Sequence, residues 1–117
     1  MAPGQTENIF TVTGEAFETL VLQADGPVAV EFMSYSCGYC QALEPALQSA
    51  AQGLKSREQI FRVNIAAEPN LASSYEIEGT PTFLMFLNGT EVGRVEGPSA
   101  NEASLMAELT QPFPALS

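Results

Sequence analysis

Two cysteines, Cys37 and Cys40, are the side chains whose type and spacing could carry covalent chemistry. Two residues separate them, and at the start of a helix this spacing lets both sulfur atoms approach bonding distance. The free amides and positive dipole end of a helix start stabilise a thiolate, so we expect Cys37 to be the exposed nucleophile. Cys40, on the helix, would be the buried resolving thiol. Such a pair would open a substrate disulfide through a mixed disulfide and end as a Cys37–Cys40 bond.

Three other interpretations of the pair stay open. A structural zinc site needs four ligands, and two cysteines without histidine supply half of them unless two chains share a metal. A purely structural disulfide would close so short a loop that it would constrain the unfolded chain very little. The two thiols could also be incidental apolar side chains. The position of the pair between a predicted strand and a predicted helix favours reversible redox chemistry over all three.

The composition excludes several other classes of function. The absence of histidine excludes Ser-His and Cys-His nucleophilic catalysis. The chain has fourteen acidic and four basic residues, and the net charge of -10 makes nucleic acid and anionic membranes poor partners. No segment reaches the roughly 18 apolar residues of a membrane span, and the first residues lack the pattern of a secretion signal. We therefore expect a soluble, cytoplasmic protein that is a monomer.

Strand and helix patterns alternate along the chain. Apolar and β-branched runs, with an Asn-Gly turn between the last two, predict strands at 9–12, 28–33, 60–65, 82–87 and 90–95. Apolar residues at helical spacing predict helices at 15–22, 37–54, 70–75 and 101–109. We predict an α/β fold, a central mixed sheet of about five strands flanked by about four helices on both faces. The length fits one domain over 1–117, with flexible termini at 1–8 and 112–117.

These elements resemble the thioredoxin family over nearly the whole chain, from about residue 9 to about residue 109. The resemblance rests on an ordered set of motifs: an apolar strand before Cys-Gly-Tyr-Cys, then Pro45, Val63-Asn64-Ile65, Gly79-Thr80-Pro81-Thr82, Asn88-Gly89 and Gly97. It implies the thioredoxin fold and a thiol-disulfide oxidoreductase that reduces or isomerises protein disulfides without a cofactor. Its partners would be disulfide-containing proteins and a thioredoxin reductase or another dithiol donor.

The resemblance also implies which residues contact substrate. Pro81 should be a cis proline beside the cysteine pair, where it and Thr80 meet an extended substrate segment. Tyr39 and Gly97 would complete the contact. Without the resemblance, Pro81 could equally be an ordinary turn proline before a strand.

Glu31 is the one acid in the predicted strand 28–33, and it matches the buried acid of the family. Buried without a partner, its carboxyl would have a raised pKa and could accept or return the proton of Cys40. The alternative is an acid on a strand face that reaches solvent. Arg62 matches a position near that acid, but a solvated strand charge would explain it equally well.

Three residues depart from the family pattern. Ser36 and Met33 stand where the family usually carries tryptophan, and Tyr39 stands where it usually carries proline. Tyr39 would either bond a sulfur atom or cover exposed surface. Because the substrate groove is altered, a non-catalytic binding module stays open as the alternative function.

Acidic residues are expected near the site because the motif loops converge there. They are Glu44, Glu76 and Glu78. Such a site would favour cationic or neutral substrate segments. A solvated acidic surface is the alternative.

Overall fold

The computed structural model describes residues 5–6 and 8–113, which form one sheet of six strands with flanking helices. The strands are β1 (Gln5–Thr6), β2 (Ile9–Thr11), β3 (Pro27–Met33), β4 (Gln59–Asn64), β5 (Thr82–Leu87) and β6 (Thr90–Glu96). The helices are α1 (Gly14–Phe17), which continues as a π-helical turn over Glu18–Leu22, α2 (Gly38–Leu54), α3 (Pro69–Ser74) and α4 (Glu102–Thr110). The five predicted strands and four predicted helices are present, and β1 adds a short sixth strand.

The strand order in the sheet is β1-β2-β4-β3-β5-β6. Strands β2, β4 and β3 run parallel, whereas β5 is antiparallel to β3 and the two edge strands pair antiparallel with their neighbours. The predicted mixed sheet is therefore confirmed. Strand β3 lies between β4 and β5 and is buried from Val28 to Met33, which explains its nearly continuous apolar run. Its carboxyl end leads to the cysteine pair, so the rigid centre of the sheet positions the site.

The side chains of β3 alternate between two cores. Val28, Val30 and Phe32 belong to the core that includes α1. Ala29 belongs to the opposite core, with buried side chains of α2 and α4 that include Leu43, Leu47, Leu105 and Leu109. Since successive strand residues point to opposite faces, Glu31 lies on the same face as Ala29. The acid of β3 therefore lies beneath the helix that carries Cys40.

The Asn-Gly pair forms the predicted turn between β5 and β6. Asn88 and Gly89 both have positive φ, 51° and 82°, as this tight turn requires. A side chain at Gly89 would collide with the carbonyl group of Leu22. The Asn88 Oδ1 atom accepts the N–H of Gly26 at 2.7 Å, which ties the hairpin to the loop before β3.

Part of each stretch that was expected to be flexible, 1–8 and 112–117, lies within the described residues. Phe113 is only 1% exposed and packs with α2 and α4, because burial of an aromatic ring outweighs the cost of ordering the chain end. At the other end, Gln5–Thr6 pairs with β2. The remaining residues of these stretches, 1–4, 7 and 114–117, lie outside the described residues, and a single domain over 1–117 stays a prediction. In the described part of the chain, no helix is long and apolar enough to cross a membrane.

Candidate active site

The two cysteines lie where β3 ends and α2 begins. Their sulfur atoms are at disulfide-bonding distance, and their Cα atoms are 5.2 Å apart. Cys37 precedes the helix as its N-cap and is partly exposed, whereas Cys40 is on the helix and only 3% exposed. A substrate disulfide can therefore reach the sulfur of Cys37 but not that of Cys40.

The surroundings of the Cys37 sulfur favour its negatively charged form. The backbone N–H of Cys40 donates to Cys37 Sγ at 3.1 Å, which satisfies one of the free donors at the start of α2. The positive end of the helix dipole acts on the same atom. The carbonyl oxygen of Thr80 lies 3.5 Å from Cys37 Sγ and can accept a bond from the thiol in the reduced protein. The contact with Thr80 places the Cys37 sulfur beside the loop that contains Pro81.

The peptide bond between Thr80 and Pro81 is cis, as the family resemblance implied. The loop is braced on both sides, because Gly97 N–H donates to the Pro81 carbonyl at 2.9 Å and Thr82 Oγ1 donates to the Gly79 carbonyl at 2.7 Å. An open groove of about 420 Å³ runs along this loop and is lined by residues 78–82, Glu96 and Gly97. The structure thus brings Thr80, Pro81 and Gly97 together, with Thr80 in contact with Cys37.

Tyr39 bonds neither sulfur atom. Its hydroxyl donates to the carbonyl oxygen of Pro98 at 2.6 Å, while 43% of the residue stays exposed. Tyr39 therefore ties the first turn of α2 to the loop that follows β6. This bond was not predicted, because no local sequence pattern relates positions that are 59 residues apart.

Replacement of Tyr39 by phenylalanine should loosen this connection. We expect Tyr39→Phe to lower the free energy of unfolding of the oxidised protein by about 1 kcal/mol, because the hydrogen bond to the Pro98 carbonyl is lost. Denaturant unfolding measures this change. Tyr35→Phe is the matched control, since Tyr35 is 56% exposed and should tolerate the change. Equal effects in the two variants would contradict the role given to the Tyr39 hydroxyl.

Glu31 is fully buried, and it has a partner that the sequence analysis did not assign. Arg62 Nε donates to Glu31 Oε1 at 3.1 Å, and Arg62 itself is 2% exposed, so a solvated strand charge is the wrong description of this arginine. The second carboxylate oxygen of Glu31 has no hydrogen-bond partner among the described residues. Burial raises the pKa of Glu31 to about 7, although the Arg62 charge opposes the rise. This carboxyl can therefore take up and release a proton near neutral pH.

The three acids expected near the site lie in different places. Glu78 lines the groove along Pro81, whereas Glu44 lies beside Cys40 and accepts a hydrogen bond from Arg62. Glu76 is not among the residues that line the groove, and its carbonyl oxygen accepts a bond from Arg94. The sequence analysis missed Glu96, which lines the groove because it pairs with Thr82 across the hairpin. A regular two-residue hairpin at Asn88-Gly89 would pair Thr82 with Val95, but a β-bulge between Met85 and Phe86 shifts the register by one residue, so no sequence signal indicated Glu96. Among the described residues, no three acidic or cysteine side chains converge as a metal site would require.

Comparison with known proteins adds to this geometry. Residues 8–111 match the thioredoxin family. Thioredoxin Y1 of Arabidopsis thaliana, a chloroplastic protein, is 35% identical over 73% of this chain and 49% of its own length, so the match spans about half of that relative. The thioredoxin of Rickettsia felis is 36% identical over 68% of this chain and 76% of its own, and that of Pseudomonas aeruginosa is 34% identical over 75% and 85%.

Proposed function

The chain belongs to the thioredoxin family, and we propose that it is a thiol-disulfide oxidoreductase that reduces or isomerises protein disulfides. The observation that carries the proposal is the Cys37–Cys40 pair at disulfide-bonding distance at the start of α2, with the Cys37 sulfur turned toward the Pro81 loop. The thioredoxin relatives support the same activity.

The catalytic cycle uses two sulfur atoms and one carboxyl group. The Cys37 thiolate attacks one sulfur of a substrate disulfide, forms a mixed disulfide and releases the first substrate thiol. Cys40 then gives its proton to Glu31 and attacks the Cys37 sulfur. The Cys37–Cys40 bond forms as the bond to substrate breaks, and the leaving thiolate takes up a proton. The substrate gains two electrons, and a dithiol donor must return two electrons to the pair before the next cycle.

A turnover assay tests the proposal directly. Reduction of a protein disulfide by dithiothreitol should be accelerated by the protein and should not be accelerated by a Cys37→Ser, Cys40→Ser double variant. Absence of acceleration by the native protein would favour the alternative, a binding module of the same fold. Serine has the shape of cysteine with a smaller oxygen atom in place of sulfur, and the melting temperature of the variant shows whether it has folded.

The residues along the Pro81 loop are proposed as the substrate contacts. An extended segment on one side of the reactive disulfide would lie against Thr80, Pro81 and Gly97, which line one groove. Glu78 and Glu96 border the same groove, and no Lys or Arg lines it. A positively charged segment therefore fits this surface better than an acidic one.

This charge distribution predicts a substrate preference. We expect kcat/KM to be roughly tenfold higher for a peptide disulfide flanked by lysine than for the same peptide flanked by glutamate, because two exposed acids contribute about 1 kcal/mol or more. The preference should shrink in high salt. A Glu78→Gln, Glu96→Gln variant should lose most of it, whereas Glu102→Gln on α4 should keep it. Equal preference in all three proteins would show that Glu78 and Glu96 do not determine the preference for positively charged substrates.

The electron donor, the compartment and the oligomeric state are also proposals. A thioredoxin reductase or another dithiol donor is proposed as the source of electrons, since the family membership supports such a partner. The cytoplasm and a monomeric state stay predictions; among the relatives, the Arabidopsis thaliana protein is chloroplastic. Cell fractionation and the sedimentation coefficient of the purified protein test these two predictions.

A further inference from the structure

Three charged side chains form a network beneath the start of α2, of which the proposed cycle uses only one. Glu31 on β3 and Arg62 on β4 are direct neighbours in the sheet, and Arg62 Nε donates a hydrogen bond to Glu31 Oε1. The other end of the Arg62 guanidinium donates to Glu44 on α2. One cation is thus held between two carboxylates from two different elements.

Glu44 is held in place from its other side as well. Its Oε2 atom accepts a hydrogen bond from Gln48 Nε2 at 2.7 Å, one turn further along α2. Each oxygen of this carboxylate therefore has a donor. The orientation of the Arg62 guanidinium follows from the two carboxylates that it joins.

Exposure increases along the network from Glu31 to Glu44. Glu31 is fully buried and Arg62 nearly so, but the side chain of Glu44 is 33% exposed. A cavity of about 340 Å³, open to solvent, is lined by Glu44, Arg62 and Cys40 together with Met33, Ser34, Tyr35 and Gln41. It shares no lining residue with the groove along Pro81. Water can therefore approach the buried thiol and its charged neighbours through a cavity that is separate from the substrate groove.

We propose that Glu44 is a positioning residue for the resolving step: it holds Arg62 between two carboxylates and thereby sets the pH range in which Glu31 takes the proton of Cys40. This inference rests on the proposed oxidoreductase function. Glu44 is not among the described residues that line the substrate groove, and it acts through Arg62.

The charges around Glu31 give the direction of the effect. Arg62 lowers the pKa of Glu31, and the negative charge of Glu44 raises it. Phe83 of β5, which pairs with Glu31 in the sheet, carries no charge, and Cys40 of α2 lines the same cavity as Glu44 and Arg62. If Glu44 loses its charge, the effect by which it raises the pKa of Glu31 is lost, and we expect that pKa to fall.

The test uses Glu44→Gln, which keeps the size of the side chain and removes its charge. The rate at which a mixed disulfide with an aromatic thiol is resolved should be followed against pH in a single turnover. We expect the midpoint of this profile to fall by about 0.5 to 1 pH unit, so that resolution at pH 6 becomes roughly threefold to fivefold faster. A carboxyl NMR titration of Glu31 should show the same displacement without reference to activity.

Three further proteins separate this role from a structural one. Glu44→Asp keeps the charge and should keep the native midpoint, and Glu102→Gln removes an exposed acid on α4 and should also keep it. In a Glu31→Gln background, Glu44→Gln should no longer move the profile. An active native protein whose midpoint is unchanged in Glu44→Gln overturns the role of Glu44 alone, whereas an inactive native protein overturns the proposed function. A lower melting temperature of Glu44→Gln, without a shift in the profile or in the Glu31 titration, would likewise overturn the role of Glu44.

Discussion

Cys40→Ser should convert the protein into a trap for its substrates, whereas Cys37→Ser should not bind them covalently at all. Cys37 is the partly exposed sulfur that accepts the N–H of Cys40, so it alone can attack a substrate disulfide. Without the Cys40 sulfur, the mixed disulfide on Cys37 cannot be resolved from within the protein. We expect both variants to retain less than about 1% of the native turnover, because each lacks one of the two required sulfur atoms.

The two variants differ in what they accumulate. Incubation with an excess of a protein disulfide, followed by non-reducing electrophoresis and mass spectrometry, should show a stable adduct of Cys40→Ser that dithiothreitol releases. Cys37→Ser should show none, since its remaining thiol is 3% exposed. Trapping by Cys37→Ser in place of Cys40→Ser would reverse the assignment of nucleophile and resolving thiol. The trapped proteins would also identify the physiological substrates.

Local signals in the sequence were sufficient to predict the main features of the site. The apolar run of β3 followed by a helical pattern placed the Cys-Gly-Tyr-Cys motif at the end of a central strand. Asn88-Gly89 identified the hairpin, although a β-bulge between Met85 and Phe86 shifts its register by one residue before Pro81. These predictions hold because each depends on the steric preferences of a few neighbouring residues. The cis form of the Thr80–Pro81 bond was implied only by the family resemblance.

The contacts that join distant parts of the chain could not be predicted. Helical spacing indicates which face of α2 is buried, but it does not show that Glu44 would meet Arg62, 18 residues further along the chain. The bond from Tyr39 to Pro98 and the burial of Phe113 likewise depend on how the helices dock on the sheet. Side-chain partners of this kind follow from tertiary packing, which no local pattern encodes.

Glu58 is a second buried acid, and its position suggests a large effect on stability. It lies in the connection between α2 and β4 and is only 2% exposed. Neither carboxylate oxygen has a hydrogen-bond partner among the described residues. Burial raises the pKa of Glu58 to about 8, and the nearby Arg57 opposes the rise only in part. The folded protein therefore holds a proton that the unfolded chain releases at lower pH.

The sign of the pH dependence follows from this difference. Below the unfolded pKa of 4.5, Glu58 is protonated in both states, and the folded state bears no charge penalty. As the pH rises from there through about 8, the unfolded chain ionises first, which lowers its free energy relative to that of the folded protein. Glu31, whose pKa rises to about 7, acts in the same direction. The protein should thus be more stable at pH 5 than at pH 9.

Glu58→Leu should remove most of this dependence and stabilise the protein at alkaline pH. The full difference in pKa would correspond to roughly 5 kcal/mol, an upper limit. We expect a gain of about 2 kcal/mol at pH 9, since Glu58 borders a solvent-open cavity beside Lys55 and Gln59 where water can relieve part of the penalty. At pH 5 the two proteins should differ by less than about 1 kcal/mol.

Denaturant unfolding of the oxidised protein at both pH values measures the effect of Glu58, and the comparison with Glu102→Leu removes the general effect of deleting one acid from a chain of net charge -10. Glu102 is exposed on α4, so its replacement should change stability little at either pH. A Glu58→Leu protein that is no more stable than the native one at pH 9 would show that the carboxylate is solvated in the folded state. Equal gains at pH 5 and pH 9 would instead assign the effect to apolar packing, because only a buried ionisable group makes the gain depend on pH.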